Sequence, residues 1–176
     1  MIGESVFDEA SIGTRVRELG AEISRDYARR RPLLVGILSS STMFLADLMR
    51  ALSVPAEMDF LAISSYARER TRGGGRPGVR IEKDLAVSIE GRHVLIVEDV
   101  VDTGLTLHYV LRTLSARLPA SLSVCALLDR PQRRIAAVSI AYRGFEIPDV
   151  FVVGYGMDHR ERYRELPALY ALGGSE

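Results

Sequence analysis

The sequence predicts an α/β fold in which a central, mostly parallel sheet is flanked by helices. Short apolar runs, typical of strands buried on both faces, alternate along the chain with helical patterns. The chain has 176 residues, the size of one domain, with no internal repeat and no linker long enough to divide it. We therefore expect a single domain over residues 1–176. Ligands of such sheets bind outside the carboxyl ends of the strands, so we expect the functional site there.

The first elements are a helix and a strand. Residues 8–30 carry apolar side chains every three or four positions, which predicts an amphipathic helix with Asp8 as its N-cap. The apolar positions are Ile12, Val16, Leu19, Ile23 and Tyr27. Residues 33–38 then form a short apolar run that predicts a buried strand.

A polar turn at 39–42, a helix at about 43–52 and a second strand at 58–63 follow. The helix is apolar almost all round, which predicts burial either in the core or in a subunit interface. Residues 67–80 break every pattern, because five arginines stand there among glycines and a proline. This composition predicts a mobile basic loop.

The second half repeats the alternation. A third apolar stretch lies around 81–89, and further buried strands are predicted at 122–128, 136–142 and 151–153. An amphipathic helix begins after residue 104. Its apolar face is expected to contain Leu107, Val110, Leu111, Leu114 and Leu118.

The most informative segment precedes that helix. An apolar run at 94–97 ends in two adjacent acids, Glu98 and Asp99, and a Gly- and Thr-containing turn at 102–106 follows. A short loop at a helix N-terminus directs unpaired backbone N–H groups at one spot, which suits a phosphate. Carboxylates just upstream suit sugar hydroxyls or a hard cation such as Mg²⁺. Together these groups indicate a sugar phosphate as ligand.

Simpler interpretations exist for the same residues. Glu98 and Asp99 taken alone fit a buried strand whose end carries solvated acids. Asp102 taken alone fits a turn or cap residue, because Asp before Thr-Gly favours turns. The register of acids, loop and helix favours the ligand site.

Composition limits the function. Lys plus Arg and Asp plus Glu number 23 each, so the net charge gives no reason to expect nucleic-acid binding. The one cysteine, Cys125, lies in an apolar run and is expected to be a small buried hydrophobe. No apolar stretch approaches the roughly 20 residues needed to span a membrane, and residues 1–5 show no secretory signal. We expect a cytoplasmic protein.

The motif at 94–106 resembles the phosphoribosyl-pyrophosphate-binding motif of the type I phosphoribosyltransferases. The resemblance extends over nearly the whole chain and is closest to the hypoxanthine-guanine phosphoribosyltransferases of purine salvage. Further matching segments, in the family's order, are residues 45–48, 63–66, 127–131, 144–149 and 151–158.

This resemblance implies a reaction. The purine N9 displaces pyrophosphate from C1 of the ribose in the presence of Mg²⁺, and hypoxanthine or guanine yields IMP or GMP. It also implies the type I phosphoribosyltransferase fold, with a small hood formed by the chain termini and a mobile lid, and a homodimer or homotetramer.

The resemblance also implies roles for residues of the motif. Glu98 and Asp99 would face the ribose hydroxyls and Mg²⁺, and Asp102 corresponds to the family's proposed general base at purine N7. The 5′-phosphate would be held by Asp102, Thr103, Gly104, Leu105 and Thr106.

The C-terminal segment would form the base pocket. By the same resemblance, Phe151 would stack on the purine and the backbone of Val152 would read its edge. Asp158 would help to hold a second Mg²⁺, and Arg164 would neutralise pyrophosphate. Phe151 also fits a core aromatic, and Arg164 fits a solvated charged surface.

The basic loop at 67–80 is a candidate lid that excludes water from the activated ribose. Ser65 and Tyr66 lie at its hinge and match the lid residues of the family. A basic loop without this function is the alternative.

Two positions depart from the family. The pyrophosphate-binding turn usually contains Lys-Gly, whereas this chain has Ser39 and Ser40, which would bind pyrophosphate through backbone N–H groups and hydroxyls. The residue that usually donates to the purine 6-oxo group is Lys, and this chain has Arg130, a larger planar donor.

The departures leave two further functions open. One is a weakly active or non-catalytic relative that senses a nucleotide, which the Ser39 and Ser40 turn favours. The other is the same reaction with another base, such as xanthine.

Overall fold

The computed structural model describes residues 2–65 and 79–173. A six-stranded sheet has the order β4-β3-β2-β5-β6-β7, and a three-stranded sheet has the order β1-β9-β8. The strands are β1 Ile2–Phe7, β2 Leu33–Leu38, β3 Glu57–Ser65, β4 Val79–Lys83, β5 His93–Val101, β6 Ser121–Asp129, β7 Tyr142–Glu146, β8 Val152–Val153 and β9 Leu169–Leu172; the helices are α1 Glu9–Asp26, α2 Thr42–Ala51 and α3 Leu105–Ser115.

The large sheet is parallel except at one edge. β2 pairs in parallel with both β3 and β5, and β5 to β7 continue the parallel order. β4 alone runs antiparallel, against β3. The predicted fold class is therefore confirmed.

The helices cover both faces of this sheet. α1 and α2 pack on one face, where alternate strand residues such as Leu34, Leu95 and Val97 point toward them. α3 packs on the other face, against neighbours such as Val94 and Ile96. Because strand side chains alternate between faces, each central strand contributes to both cores, which explains its continuous apolar sequence.

The chain termini form the small sheet. β1 pairs antiparallel with β9, and β9 pairs antiparallel with β8. This sheet is the hood that the family resemblance implied. The strands β1 and β9 themselves were not predicted from the sequence, because Ile2–Phe7 and Leu169–Leu172 are short and mostly exposed or half-buried.

Several predicted elements match closely. The strand predicted at 33–38 is β2, and Asp8 is the N-cap of α1, its carboxylate accepting from the Ser11 N–H at 2.7 Å. Cys125 is fully buried, as expected.

The strand predicted at 136–142 was wrong. β7 begins only at Tyr142, because the preceding segment crosses the start of α3 instead of joining the sheet. The Ala136 N–H donates to the Thr103 carbonyl at 2.9 Å, and Val138 and Ile140 pack onto the α3 side of the core. The alternation of apolar residues in this segment therefore reflects packing on α3 and not pairing in the sheet.

Three further boundaries and one burial differ from prediction. α1 ends at Asp26 instead of residue 30, and α3 ends at Ser115, so Leu118 lies outside the helix, is 69% exposed and has a φ of 56°. The stretch at 81–89 forms a strand only at Val79–Lys83. On α2 the side chain of Met43 is exposed, so it does not lie in the core, and the alternative of a subunit interface stays a prediction.

Close contact between α1 and α2 depends on Gly20. A Cβ at this position would lie 2.7 Å from both the Cβ and the carbonyl oxygen of Ala51. The same helix contains Gly13, where a Cβ would meet only Arg17 Nη1, at 3.5 Å.

These two glycines provide a matched test of the packing. Gly13→Ala should raise the free energy of unfolding by roughly 0.5–1 kcal/mol, because alanine loses less backbone entropy than glycine in a helix. Gly20→Ala should lower it by about 1–3 kcal/mol, because the added methyl forces the helices apart. Urea unfolding measures both. A stabilised Gly20→Ala protein would show that the α1–α2 contact is loose.

Candidate active site

The loop between β5 and α3, residues 102–106, is named the phosphate loop here after the ligand that the sequence predicts for it. Gly104 is the N-cap of α3 with a φ of 78°, and a Cβ there would lie 2.7 Å from the Ala136 carbonyl oxygen. Position 104 therefore requires glycine for two reasons: its backbone is left-handed, and the Ala136 carbonyl leaves no space for a Cβ. Within the described residues, the backbone N–H groups of Thr103, Gly104 and Thr106 have no hydrogen-bond partner.

A cavity of about 120 Å³ adjoins these free donors. Its lining is Glu98, Val100, Val101, Asp102, Thr103, Gly104, Thr106 and Leu107. Unpaired N–H groups at a helix N-terminus attract anions, so the cavity fits a phosphate group. Leu105 is half exposed and is the first residue of α3.

Glu98 faces this cavity from β5. Its side chain is buried, and its Oε2 atom has no hydrogen-bond partner in the described structure. Burial raises the pKa of Glu98 well above its ordinary value, and the neighbouring charge of Asp99 adds to the shift. A buried carboxylate without a partner is costly and indicates that a cation or a hydroxyl group completes the site.

Asp99 points to the opposite face of the sheet. The two acids are consecutive residues of β5, which continues to Val101, so their side chains alternate. Burial raises the pKa of Asp99, while a hydrogen bond from Ser40 and the charge of Arg164 act in the opposite direction. The sequence suggested one pair of acids, and the fold separates them into two environments.

Arg164 and Asp158 lie on the Asp99 side. Arg164 Nη2 is 2.9 Å from Asp158 Oδ1, and Arg164 Nη1 donates to the Gly156 carbonyl at 2.8 Å. Gly156 in turn packs on the turn after β2, since a Cβ there would clash with the Ser40 carbonyl oxygen. The structure therefore brings residues 40, 99, 158 and 164 together at one edge of the sheet.

The turn after β2 is held by its own hydroxyl groups. Ser41 donates to the Ile37 carbonyl at 2.7 Å, and the Thr42 hydroxyl donates to the Ser39 carbonyl at 2.7 Å. Ser39 is exposed and Ser40 is half-buried. The Ser39 side chain is thus accessible to a ligand, and Ser40 contacts Asp99.

Asp102 is clamped by two arginines. Its Oδ2 atom lies 3.2 Å from Arg133 Nη1 and 3.5 Å from Arg130 Nη1. Its Oδ1 atom is buried and has no partner in the described structure. One oxygen of this carboxylate therefore remains available to accept a proton or a hydrogen bond.

Arg130 is buried at the end of β6. Its Nη2 atom donates to the Val150 carbonyl at 2.6 Å, whereas its Nε has no partner among the described residues. Phe151 follows Val150, is half exposed and meets the His159 ring edge-on at 5.7 Å between centroids. Val152 is buried in β8. An exposed aromatic beside a buried donor is an arrangement that suits a planar heterocycle.

The predicted lid lies mostly outside the described residues, as does Tyr66. Residues 79–80 of the predicted 67–80 loop belong to β4 instead. Ser65 is the last residue of β3, so its backbone lies at the same edge of the sheet as the other candidate residues.

Sequence reasoning missed Arg133 and Arg134. Arg133 pairs with Asp102 as described, and Arg134 Nε donates to the Asp102 carbonyl at 3.0 Å. The two residues follow the matched segment 127–131 after Gln132, in a basic turn, and that position is the signal that could have identified them.

Two arrangements are absent from residues 2–65 and 79–173. Neither His93, His108 nor His159 belongs to a group of three or more His, Cys, Asp or Glu side chains placed to hold a metal there. In the same residues, no helix combines the length and apolar character that crossing a membrane requires.

Proteins that are similar to this chain in sequence and in structure are named as phosphoribosyltransferases. A hypoxanthine-guanine phosphoribosyltransferase of Bacillus subtilis is 42% identical over 97% of this chain and 93% of its own length. One from Mycobacterium avium is 50% identical over 92% of this chain and 81% of its own. A crystal structure of a hypoxanthine-guanine phosphoribosyltransferase from Bacillus anthracis superposes with a TM-score of 0.91 at 36% identity, over 98% of this chain and 100% of the other.

The family model for the phosphoribosyl transferase domain matches residues 3–160. This match covers most of the chain, including the phosphate loop, the turn after β2 and the Arg130 region. The protein therefore belongs to the phosphoribosyl transferase domain family.

Proposed function

We propose that this protein is a purine-salvage enzyme that transfers the 5-phosphoribosyl group from phosphoribosyl pyrophosphate to hypoxanthine or guanine. The products are IMP or GMP and pyrophosphate. The observation that carries the proposal is the phosphate loop, whose free N–H groups at the start of α3 adjoin a small cavity and the clamped carboxylate of Asp102. The relatives named above support the choice of bases.

The phosphate loop binds the 5′-phosphate. The donors at Thr103, Gly104 and Thr106 belong to a loop whose carbonyl groups are held by residues 134–136, so little reorganisation accompanies binding. Leu105 contributes its backbone to the same first turn. The ribose then extends from this loop toward the acids of β5.

Asp102 receives the proton of the purine. As N9 bonds to C1 of the ribose and the C1–oxygen bond to pyrophosphate breaks, the imidazole ring must lose a proton. The free Oδ1 atom of Asp102 is an acceptor for that proton at N7. Arg133 and Arg130 hold the other oxygen, which fixes the direction of the carboxylate.

Arg130, Phe151 and Val152 hold the base. Arg130 donates to the 6-oxo group, since it is buried with an unpartnered Nε, and Phe151 stacks on the purine with its exposed ring. The backbone of Val152 reads the edge of the ring. The Arg guanidinium replaces the Lys usual in this family and presents a wider set of donors.

Mg²⁺ fits the donors present. Glu98 has a buried carboxylate oxygen without a partner, and Asp99 and Asp158 supply two more carboxylates on the other side of β5. Mg²⁺ binds through one or two carboxylates together with substrate oxygens, so the lack of a larger acidic cluster in the described residues is compatible with it. When bound, Mg²⁺ supplies charge neutralisation for the departing pyrophosphate.

Pyrophosphate leaves on the Asp99 side of the sheet. Ser39 and Ser40 offer hydroxyl and backbone groups there, and Arg164 offers the positive charge that the missing Lys would have supplied. Ser65 and Tyr66 flank the proposed lid at 67–80, which would cover the reacting centre.

Assembly and location are also part of the proposal. A homodimer or homotetramer is the assembly that the family resemblance implies, and the exposed apolar side chain of Met43 on α2 is compatible with a subunit interface there. The predicted cytoplasmic location and the absence of nucleic-acid binding stay predictions.

An assay of pyrophosphate release tests the function. The protein, Mg²⁺ and phosphoribosyl pyrophosphate are combined with hypoxanthine, guanine, xanthine or adenine in turn. Release should be fast with hypoxanthine or guanine and at least roughly tenfold slower with adenine, whose 6-amino group faces the donors of Arg130. Efficient use of adenine would contradict the assignment of 6-oxopurines. Nucleotide binding without release would favour the sensor that the Ser39 and Ser40 turn suggested.

Removal of the Asp102 charge tests its role in proton transfer. Asp102→Asn should lower turnover by roughly 10²-fold or more, because an amide cannot take up the proton. The affinity for phosphoribosyl pyrophosphate should change much less, since the backbone donors remain. Steady-state kinetics at saturating base measures both values. Unchanged turnover would show that Asp102 does not accept the proton and is only a turn residue.

Substitution of Arg130 tests the reading of the 6-oxo group. Arg130→Met should impair catalysis with hypoxanthine and narrow its advantage over adenine, because the donor is lost while the volume is largely kept. Arg130→Lys restores the residue usual in the family and should retain most of the activity. The KM for each base and for phosphoribosyl pyrophosphate separates base binding from sugar binding. An equal rise in both constants would argue for general disruption of the site.

A further inference from the structure

We propose that Arg134 is a positioning residue for binding of the 5′-phosphate. It holds carbonyl groups at the start of the phosphate loop away from the ligand, so that the N–H groups of the loop face it. This inference rests on the proposed function, because the phosphate concerned belongs to the proposed substrate and product. Arg134 itself would not touch the substrate.

The guanidinium of Arg134 binds two successive backbone carbonyls. Its Nε donates to the Asp102 carbonyl at 3.0 Å, and its Nη2 donates to the Val101 carbonyl at 3.2 Å. The same Nη2 pairs with the carboxylate of Asp129, which is buried at the end of β6. A rigid planar fork can hold these partners at fixed relative positions, which a flexible ammonium group cannot.

The two residues after Arg134 continue the series. The N–H groups of Ile135 and Ala136 both donate to the Thr103 carbonyl, each at 2.9 Å. Residues 134–136 therefore occupy three successive carbonyls, at positions 101 to 103. Residues 134–136 lead into the segment that crosses the start of α3 instead of forming a strand.

Because the peptide group is planar, these contacts determine the direction in which the N–H donors of the loop point. In a planar trans peptide, the carbonyl of one residue and the N–H of the next point in opposite directions. Fixing the Asp102 carbonyl toward Arg134 therefore directs the Thr103 N–H away from it, and fixing the Thr103 carbonyl does the same for the Gly104 N–H. Those are two of the donors that lack a partner in the described residues.

A different role for Arg134 must be separated from this one. Asp129 is almost fully buried, so Arg134 also compensates its charge, and losing that compensation would destabilise the protein whatever the loop does. Arg143 offers the matched control. Its Nε lies 2.9 Å from the other oxygen of Asp129, and none of its side-chain contacts in the described structure involves the phosphate loop.

The test compares Arg134→Met with Arg143→Met. Calorimetry gives the Kd for IMP, steady-state kinetics gives the KM values for phosphoribosyl pyrophosphate and hypoxanthine, and urea unfolding gives the stability. Arg134→Met should weaken IMP binding by about tenfold or more, the effect of losing charge-assisted hydrogen bonds, and should raise the KM for phosphoribosyl pyrophosphate similarly. The KM for hypoxanthine should change less than about threefold. Arg143→Met should lose stability and keep all three binding constants within about threefold.

Removal of the buried carboxylate separates the two roles further. In Arg134→Met/Asp129→Asn no unpaired charge remains, so stability should recover while IMP binding stays weak. Arg134→Lys keeps a charge for Asp129 without the fork, and should fold well with IMP affinity between the two extremes. If Arg134→Met does not fold, these two variants still test the inference. Recovery of IMP affinity in the double variant would overturn the inference, since Arg134 would then be only a counter-ion.

Failure of the inference and failure of the proposed function are distinguishable. If the unmodified protein neither binds IMP nor releases pyrophosphate, the proposed function is wrong. If it does both, and Arg134→Met binds IMP as tightly as the unmodified protein, the positioning role alone is wrong.

Discussion

Parallel pairing of the central strands is the constraint on which this site depends. β2, β5 and β6 run in one direction, so the residues that follow them arrive at the same edge of the sheet. The turn after β2, the acids and phosphate loop of β5 and the arginines after β6 come from distant parts of the chain. Hydrogen bonds between the strands, and the apolar cores on both faces, hold these segments in register. The hood then adds Val152 of β8 and the preceding Phe151 beside Arg130, which donates to the Val150 carbonyl.

Charges buried at this edge are treated in two ways. Asp129 is compensated by two arginines, which makes it part of the framework. Glu98 has no comparable partner in the described structure, and burial raises its pKa. The charge of Asp129 is therefore neutralised within the protein, whereas the carboxylate of Glu98 is left for a ligand or cation to bind. Such incomplete satisfaction costs stability and is characteristic of functional sites.

The two departures from the family have structural counterparts. Ser40 contacts Asp99 and lies against Gly156, so the turn after β2 is integrated with the segment that carries Asp158 and Arg164. Arg130 reaches both the Val150 carbonyl and Asp102. Because a guanidinium has five donors, it can hold these partners and still offer one to a substrate. Both substitutions therefore fit a working site, and the close relatives are named as enzymes.

The sequence by itself determined the fold class, β2 to the residue, the cap at Asp8 and the turn before α3, because these depend on periodicity and on local turn chemistry. It also identified the hood through resemblance to a family. Only the tertiary structure decided which groups meet: the separation of Glu98 from Asp99, the clamp of Arg133 on Asp102 and the contacts of Arg134 with the loop. The segment before β7 shows the physical reason. Its apolar residues do alternate, but they pack on α3, and its backbone bonds to Thr103 instead of joining the sheet. Sequence periodicity cannot tell which surface a segment will meet.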